Sequence, residues 1–241
     1  MSDQLRLENV RNVLVRLEET ILFALIERAQ FFVNRAIYEP GRFGAFLEGK
    51  SLVGYLLHDC ERSHAKVRRY TSPDEHPFYS ELPAPVLPAL AYENPLAQNC
   101  VNLNAQIRLD YERQIVPHIC RDGDDRQYGS SAVCDVACLQ ALSKRIHYGK
   151  FVAESKYRAT PGVFRPLIAA CDREALLAKI TDEPVERQVI ERVGQKARIH
   201  TQDLASTSAT PVVDPQDIVD VYRRWIIPLS KDVQVLYLLG R

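Results

Sequence analysis

The stretch DGDDRQYGSSAVCDVACLQALSKRIHYGKFVAESKY, residues 122–157, decides the fold class. It opens as an acidic, glycine-containing loop, and beyond Ser131 it holds no proline and a single glycine, Gly149. Cys134, Cys138, Leu142, Arg145, Gly149, Val152 and Lys156 advance by threes and fours, which is one face of a long helix. Gly129-Ser130-Ser131 offers the cap, serine being a good residue at a helix start. Arg145 and Lys156 then lie three turns apart, roughly 16 Å between Cα atoms, and point the same way. Their heads could converge on a small anion, with Gly149 admitting a ligand close to the backbone. The opposing reading pairs both cations with buried carboxylates of a neighbouring helix, because unpaired they would be too costly. The pair alone does not choose between the two.

Working outward, the same helical period recurs on both sides. Leu7, Val10, Leu14, Leu17, Ile21, Leu25 and Arg28 form a stripe in a segment from Gln4 to Tyr38 that has neither glycine nor proline, so one very long helix is expected there. Arg11 sits beside that stripe, where a snorkelling edge arginine is the favoured reading. Ser51–Tyr70 is helical again and ends in the basic run 64–69, expected to decorate a solvated helix end. Six of the fourteen prolines fall between Thr71 and Pro95, giving an extended, packed connector whose aromatics Phe78, Tyr79 and Tyr92 should pin it. Leu96–Cys120 reads as helix broken near Pro117. Shorter helices are expected from Thr160 to Asp182, punctuated by Pro161, Pro166 and Asp172. Glu183–Ala197 reads as an amphipathic helix with Pro184 in its first turn, and Ile199–Val213 as small, polar and mobile. A last helix opens at Asp214-Pro215 and bends at Pro228. No strand alternation, repeat, GxGxxG or P-loop occurs, so the expected class is all-α, a single domain over residues 1–241 of about ten helices, two or three of them long.

Composition narrows the function. Lys+Arg and Asp+Glu are equal at 31 each, which argues against a nucleic-acid binder relying on a basic surface. No apolar run has the length of a membrane span, and MSDQLRLENVRN shows neither a signal-peptide core nor transit-peptide composition, so the cytoplasm is the expected location. The six cysteines are spread thinly. A zinc reading of Cys134 and Cys138 with His118 and Cys120 has no CxxC pair to support it, and buried free thiols account for them better. The acidic loop after Cys120 lacks the spaced ligands of an EF-hand. Two further spacings matter. Asp182 and Glu186 share a face at a helix start, where acids are commonplace, and Ser230 and Gln234 share a face of an otherwise apolar helix, which suggests a polar pocket edge. A catalytic serine is not indicated, since no nucleophile-elbow context surrounds it.

At this point the residues carry a resemblance. Residues 6–28 (RLENVRNVLVRLEETILFALIER), 72–79 (SPDEHPFY), 122–157 and 226–239 (IIPLSKDVQVLYLL) closely resemble the monofunctional chorismate mutases of plants and fungi, over nearly the whole chain from Leu5 to Leu239. The resemblance implies an all-helical homodimer converting chorismate to prephenate, toward phenylalanine and tyrosine, by a pericyclic rearrangement without cofactor or covalent intermediate. It implies that Arg11 and Arg145 take the two carboxylates of the substrate, where forked donors suit. Lys156 and Gln234 would donate to the ether oxygen, Glu186 would accept from the ring hydroxyl, and Asp182 and Ser230 would line the same end. Fungal members carry glutamate where this chain has Gln234, as plant members do. The alternative is a non-catalytic helical regulatory or ligand-binding homologue, which would be expected to lose a charged pocket residue; none is lost.

The resemblance also implies effector binding between subunits, tryptophan activating and tyrosine inhibiting. The matching positions are Arg68, Arg69, Gln127, Gly129, Ser130 and Val133, the last replacing a hydroxyl-bearing residue of fungal forms. One helix would then join an effector site at its start to chemistry at Arg145 and Lys156.

Overall fold

A computed structural model of the chain describes residues 5–91, 93–205 and 213–241, and among them every regular element is helical, with no strand. The helices are α1 Leu7–Ala29, α2 Leu52–Lys66, α3 Asn104–Asp110, α4 Val116–Ile119, α5 Tyr128–His147, α6 Gly149–Ala159, α7 Pro161–Ala169, α8 Arg173–Ile180, α9 Glu183–Ala205, α10 Pro215–Val221 and α11 Ile227–Leu239. α1 runs along α5, and α6 along α11. Two apolar cores result. One gathers Leu25, Ile26, Ile107, Tyr111, Leu139, Val193 and Val233. The other gathers Val10, Phe151, Phe164, Leu176 and Leu238. No described helix is long and apolar enough to cross a membrane.

The first helix stops at Ala29, nine residues short of the expected Tyr38, and Arg28 is the reason. Its side chain is fully buried. The guanidinium folds over the helix end and donates to the carbonyls of Phe32 and Val33 at 3.0 Å each, in the segment that leaves the helix. Its Nε donates to Asp135 at 2.6 Å. Asn34, at φ 52°, turns the chain, and its amide donates to Asp125 and Ser131 at 2.8 Å each. The residue that extended the apparent apolar stripe is a buried charge that ends it.

The long helix of residues 129–157 is likewise two helices, divided at Tyr148. α5 begins at Tyr128, earlier than the serines: Asp125 accepts from the Gln127 amide at 2.9 Å, and Ser131 lies inside the first turn, donating to the Gln127 carbonyl. Gly149 opens α6 against α11. A Cβ there would lie 2.7 Å from the Ser230 carbonyl oxygen, so glycine serves helix contact and not ligand approach.

Pro117 and Pro228 do not break their helices. Each follows a single π-helical turn, Tyr111–Ile115 and Tyr222–Ile226. The wider turn carries the carbonyl four residues before the proline, at Arg113 and Arg224, which an α-helix would drive against the ring. α9 continues to Ala205, eight residues past the expected end, with Ala197 in the core and the Thr201 hydroxyl donating to the Ala197 carbonyl at 2.8 Å. The rest of the connector expected to be mobile, residues 206–212, lies outside the described residues, as does Tyr92. Residues 96–103 are not helical; Asn99 and Asn102 bond to the amides of Val101 and Asn104, competing with helix formation. Pro166 sits within α7, whereas Pro161 and Asp172 do begin α7 and α8. Among its described residues the proline-rich connector has no helix or strand beyond Thr71, and it hangs on Glu61, whose carboxylate accepts from the amides of Phe78 and Tyr79 at 2.8 and 3.0 Å. In the basic run, Arg69 is not solvated decoration: it donates to Glu75 at 3.0 Å and to Gln140 at 3.1 Å. Cys120 and Cys138 are buried thiols as expected, while Cys100 and Cys171 are exposed.

The α5–α6 joint is held by a second polar group. His147 is fully buried; its Nε2 accepts from the Leu103 amide at 2.9 Å, its Nδ1 faces the Ser143 carbonyl at 2.8 Å, and its ring stacks on His76 at 4.2 Å. Burial pushes His147 down to about 4 and His76 down to about 2. Both stay neutral in the folded chain, whereas an unfolded chain protonates them near pH 6.5, so folding stability is complete above that pH and is lost as pH falls toward 4. At pH 5 the His147 contribution alone is about 2 kcal/mol, with His76 acting in the same direction. Urea unfolding at pH 7.5 and pH 5 measures this, and equal stabilities at the two pH values would contradict it.

Candidate active site

The seam between the two apolar cores is where Arg145, Lys156, Asp182, Glu186, Ser230 and Gln234 meet. They line one cavity of about 120 Å³ with Leu14, Val152, Ile180, Val185, Val189, Ile227 and Lys231. A second cavity of about 120 Å³ adjoins it through Leu14, Arg145, Val185 and Val189, and is completed by Arg11, Val15, Glu18, Gln188 and Arg192. All seven sequence-predicted pocket residues thus fall on two connected cavities. The division at Tyr148 does not separate Arg145 from Lys156, because both helices face the start of α9.

Arg145, in the last turn of α5, is only 6% exposed. Its Nε has no hydrogen-bond partner, and among the described residues no carboxylate lies within ion-pair distance of the guanidinium. Burial pushes its pKa down, Tyr222 and Glu18 oppose that from nearby, and Arg192 reinforces it. An arginine cannot shed its proton in practice, so this is a buried cation short of an anion. The reading that pairs it with a buried protein carboxylate is thereby overturned. Glu18, the nearest candidate, is fully buried but engaged by Arg192, whose Nε and Nη2 reach its two oxygens at 2.8 and 2.6 Å.

Lys156 is also without a carboxylate partner: its Nζ donates to the Ile180 carbonyl, the last of α8, at 2.5 Å. Burial lowers its pKa from lysine's ordinary 10.5, Asp182 and Glu186 counter the shift, and Arg11 adds to it. Arg11 itself is exposed, as an edge arginine would be, and it also lines the second cavity. Asp182 accepts from the Val185 amide at 3.2 Å and so caps α9 while lining the cavity. Glu186 is held by Lys231, whose Nζ lies 3.0 and 3.2 Å from its two oxygens. On α11, Ser230 and Gln234 are buried; the Gln234 amide donates to the Ser230 carbonyl at 3.2 Å, and its Oε1 has no partner.

Sequence reasoning missed Lys231, Glu18 and Arg192. Lys231 directly follows Ser230, but its partner Glu186 is 45 residues away, and only the tertiary fold joins them. The site can therefore hold an anion at Arg145, present hydrogen-bond donors from Lys156 and Gln234 to a neighbouring oxygen, and receive a hydroxyl at Glu186. Among the described residues no group of three His, Cys, Asp or Glu side chains could hold a metal ion.

The residues matched to effector binding lie elsewhere. Gln127, Gly129, Ser130 and Val133 are exposed on the first turns of α5. Arg68, at φ 70°, donates to the Pro88 carbonyl. Arg69 meets α5 at Gln140, two turns beyond Val133.

Comparison with known proteins places the geometry. Residues 127–235 match the family model described as chorismate mutase type II. The chain is 44% identical over 246 residues to the chorismate mutase of Schizosaccharomyces pombe, covering 100% of this chain and 98% of that one. Its fold superposes on AtCM1 with tyrosine bound in the allosteric site at a TM-score of 0.91 and 44% identity, covering 99% and 97%. It superposes on the chorismate mutase of Candida albicans in complex with L-Trp at 0.91 and 37%, covering 98% and 92%.

Proposed function

Given that the chain belongs to the type II chorismate mutase family and catalyses the rearrangement of chorismate to prephenate in aromatic amino-acid biosynthesis, we propose how its pocket divides that work. Arg145 and Arg11 take the two carboxylates of chorismate, holding the compact conformer in which the new carbon–carbon bond can form. Lys156 and Gln234 donate to the ether oxygen, where negative charge builds as the carbon–oxygen bond breaks. Glu186, fixed by Lys231, accepts from the ring hydroxyl, and Asp182 and Ser230 line that end. No cofactor is required for a rearrangement in which no electron pair leaves the substrate. The buried, unpaired Arg145 carries this reading: its charge is uncompensated until a carboxylate arrives. Loss of chorismate absorbance in the wild-type chain and in Arg145→Ala tests it, and equal inactivity of both would remove the enzymatic claim.

The donors set the pH profile. An amide donates at every ordinary pH, so acid is not needed to charge position 234 with a proton. Activity is expected to hold from neutral into mildly alkaline pH, falling when Lys156 loses its proton, at a pH below lysine's ordinary 10.5. Gln234→Glu should move the optimum toward acid, because only a protonated carboxyl donates. A Gln234→Glu profile that superimposes on the wild type would sink the assignment.

For regulation we propose a homodimer in which Arg68 and Arg69 of one subunit and Gln127, Gly129, Ser130 and Val133 of the other receive tryptophan or tyrosine. The separation of the two sets within one chain supports a site shared between chains, as do the tyrosine and tryptophan held by the two related structures. The single domain of residues 1–241 would then carry both sites, and the cytoplasm is the proposed location. Adding each amino acid to the assay, with Gly129→Trp as control, tests the effector claim; an unresponsive wild type refutes it.

A further inference from the structure

Outside the pocket, one buried carboxylate ties together the two helices that supply the ether-oxygen donors. Glu154 of α6 is fully buried. It receives the Tyr237 hydroxyl at 2.7 Å, the Arg241 guanidinium at 2.8 and 3.1 Å, and Arg158 Nε at 2.6 Å. Tyr237, on α11, accepts in turn from the Ala97 amide at 2.8 Å, and Arg158 also donates to the Pro95 carbonyl at 2.6 Å. The Arg241 guanidinium lies 3.6 Å over the ring of Tyr157. Burial alone would raise the Glu154 pKa, and the bonds from Arg241, Tyr237 and Arg158 outweigh it and hold the group below the ordinary range. At the opposite end of the same helix pair, Gly149 abuts the Ser230 carbonyl. The α6–α11 pair is thus pinned twice. Lys156 lies two residues beyond Glu154, and Gln234 one turn before Tyr237.

We propose that Glu154, acting with Tyr237, is a positioning residue that fixes the register of α11 on α6 and so the separation of Lys156 from Gln234. The inference rests on the reading that those two side chains serve one ether oxygen. Both must lie within hydrogen-bond reach of a single atom, and a slip of about 1 Å between donors can cost up to about 10²-fold in rate. Arg11 and Arg145 belong to α1 and α5, so binding of the substrate carboxylates does not depend on this register.

Tyr237→Phe keeps the ring and removes one link. It should lower kcat about tenfold and leave KM within about twofold, a transition-state loss without a ground-state one. Arg241→Met, which removes a partly exposed arm, should show the same kcat-only loss if Tyr237→Phe does not fold. In a Gln234→Ala background the Tyr237→Phe factor should shrink to about twofold, because one of the two donors is already gone; in an Arg145→Lys background it should persist. A folded Tyr237→Phe or Arg241→Met with wild-type kcat, a loss confined to KM, or an undiminished factor in the Gln234→Ala background overturns the proposal. Full activity of Lys156→Ala and Gln234→Ala would instead overturn the site assignment beneath it.

Discussion

Arg145→Ala is expected to lower kcat/KM about 10³-fold, the order of loss when one partner of a buried charge pair is truncated. In the proposed complex the guanidinium, itself only 6% exposed, would supply two parallel donors to a substrate carboxylate, so that both binding and alignment would depend on it. Arg145→Lys should recover only part of the loss, because an ammonium cannot reproduce the fork. Arg145→Ala should not destabilise the free protein. The cation is buried beside Tyr222 and short of a partner, so removing it relieves desolvation while leaving a cavity. Steady-state kinetics and thermal denaturation together check this. A variant within tenfold of wild type would dispose of the anion-holding role, and a large fall in denaturation temperature would show that Arg145 has an internal partner.

Asp135→Ala should cost about 3–5 kcal/mol of folding stability, the range for breaking a buried ion pair from one side. Asp135 accepts from Arg28 Nε at 2.6 Å and Tyr111 at 2.7 Å, both fully buried, and from the partly buried Tyr38 at 2.8 Å. Burial opposes the charge of Arg28, and Asp135, together with Tyr38, Cys120 and Tyr111, more than offsets it, so the guanidinium is held charged above its ordinary range. Without Asp135 that charge is stranded. Arg28→Met/Asp135→Ala should lose less than the two single variants summed, since neither charge remains unmatched. Urea unfolding of the three variants measures the coupling, and simple additivity would show that the pair does not act as a unit.

The period of the helices was legible because burial repeats every three or four residues, and that repeat survives in the sequence whatever the tertiary contacts. Helix ends were less legible. Arg28 looks like a stripe residue until its partners, 107 residues distant at Asp135, are known. Pro117 looks like a break, and Pro228 like a bend, because the π turns that precede them have no signature in side-chain type. The site showed itself through helical intervals along the chain, Arg145 to Lys156, Asp182 to Glu186 and Ser230 to Gln234, the first of which survives the break at Tyr148. What it withheld were pairs between helices, Glu186 with Lys231 and Glu18 with Arg192, which no interval encodes.

The approach of Gly149 to the Ser230 carbonyl has a consequence for remodelling the pocket. At Gly149 the α6–α11 contact is too close for any side chain, so position 149 itself could not change without parting the helices. Leu14 on α1, Val152 on α6 and Val185 and Val189 on α9 line the cavities with apolar side chains that can be shortened. A selection for activity on enlarged substrate analogues should therefore accumulate its changes at those four positions, and leave Gly149 untouched.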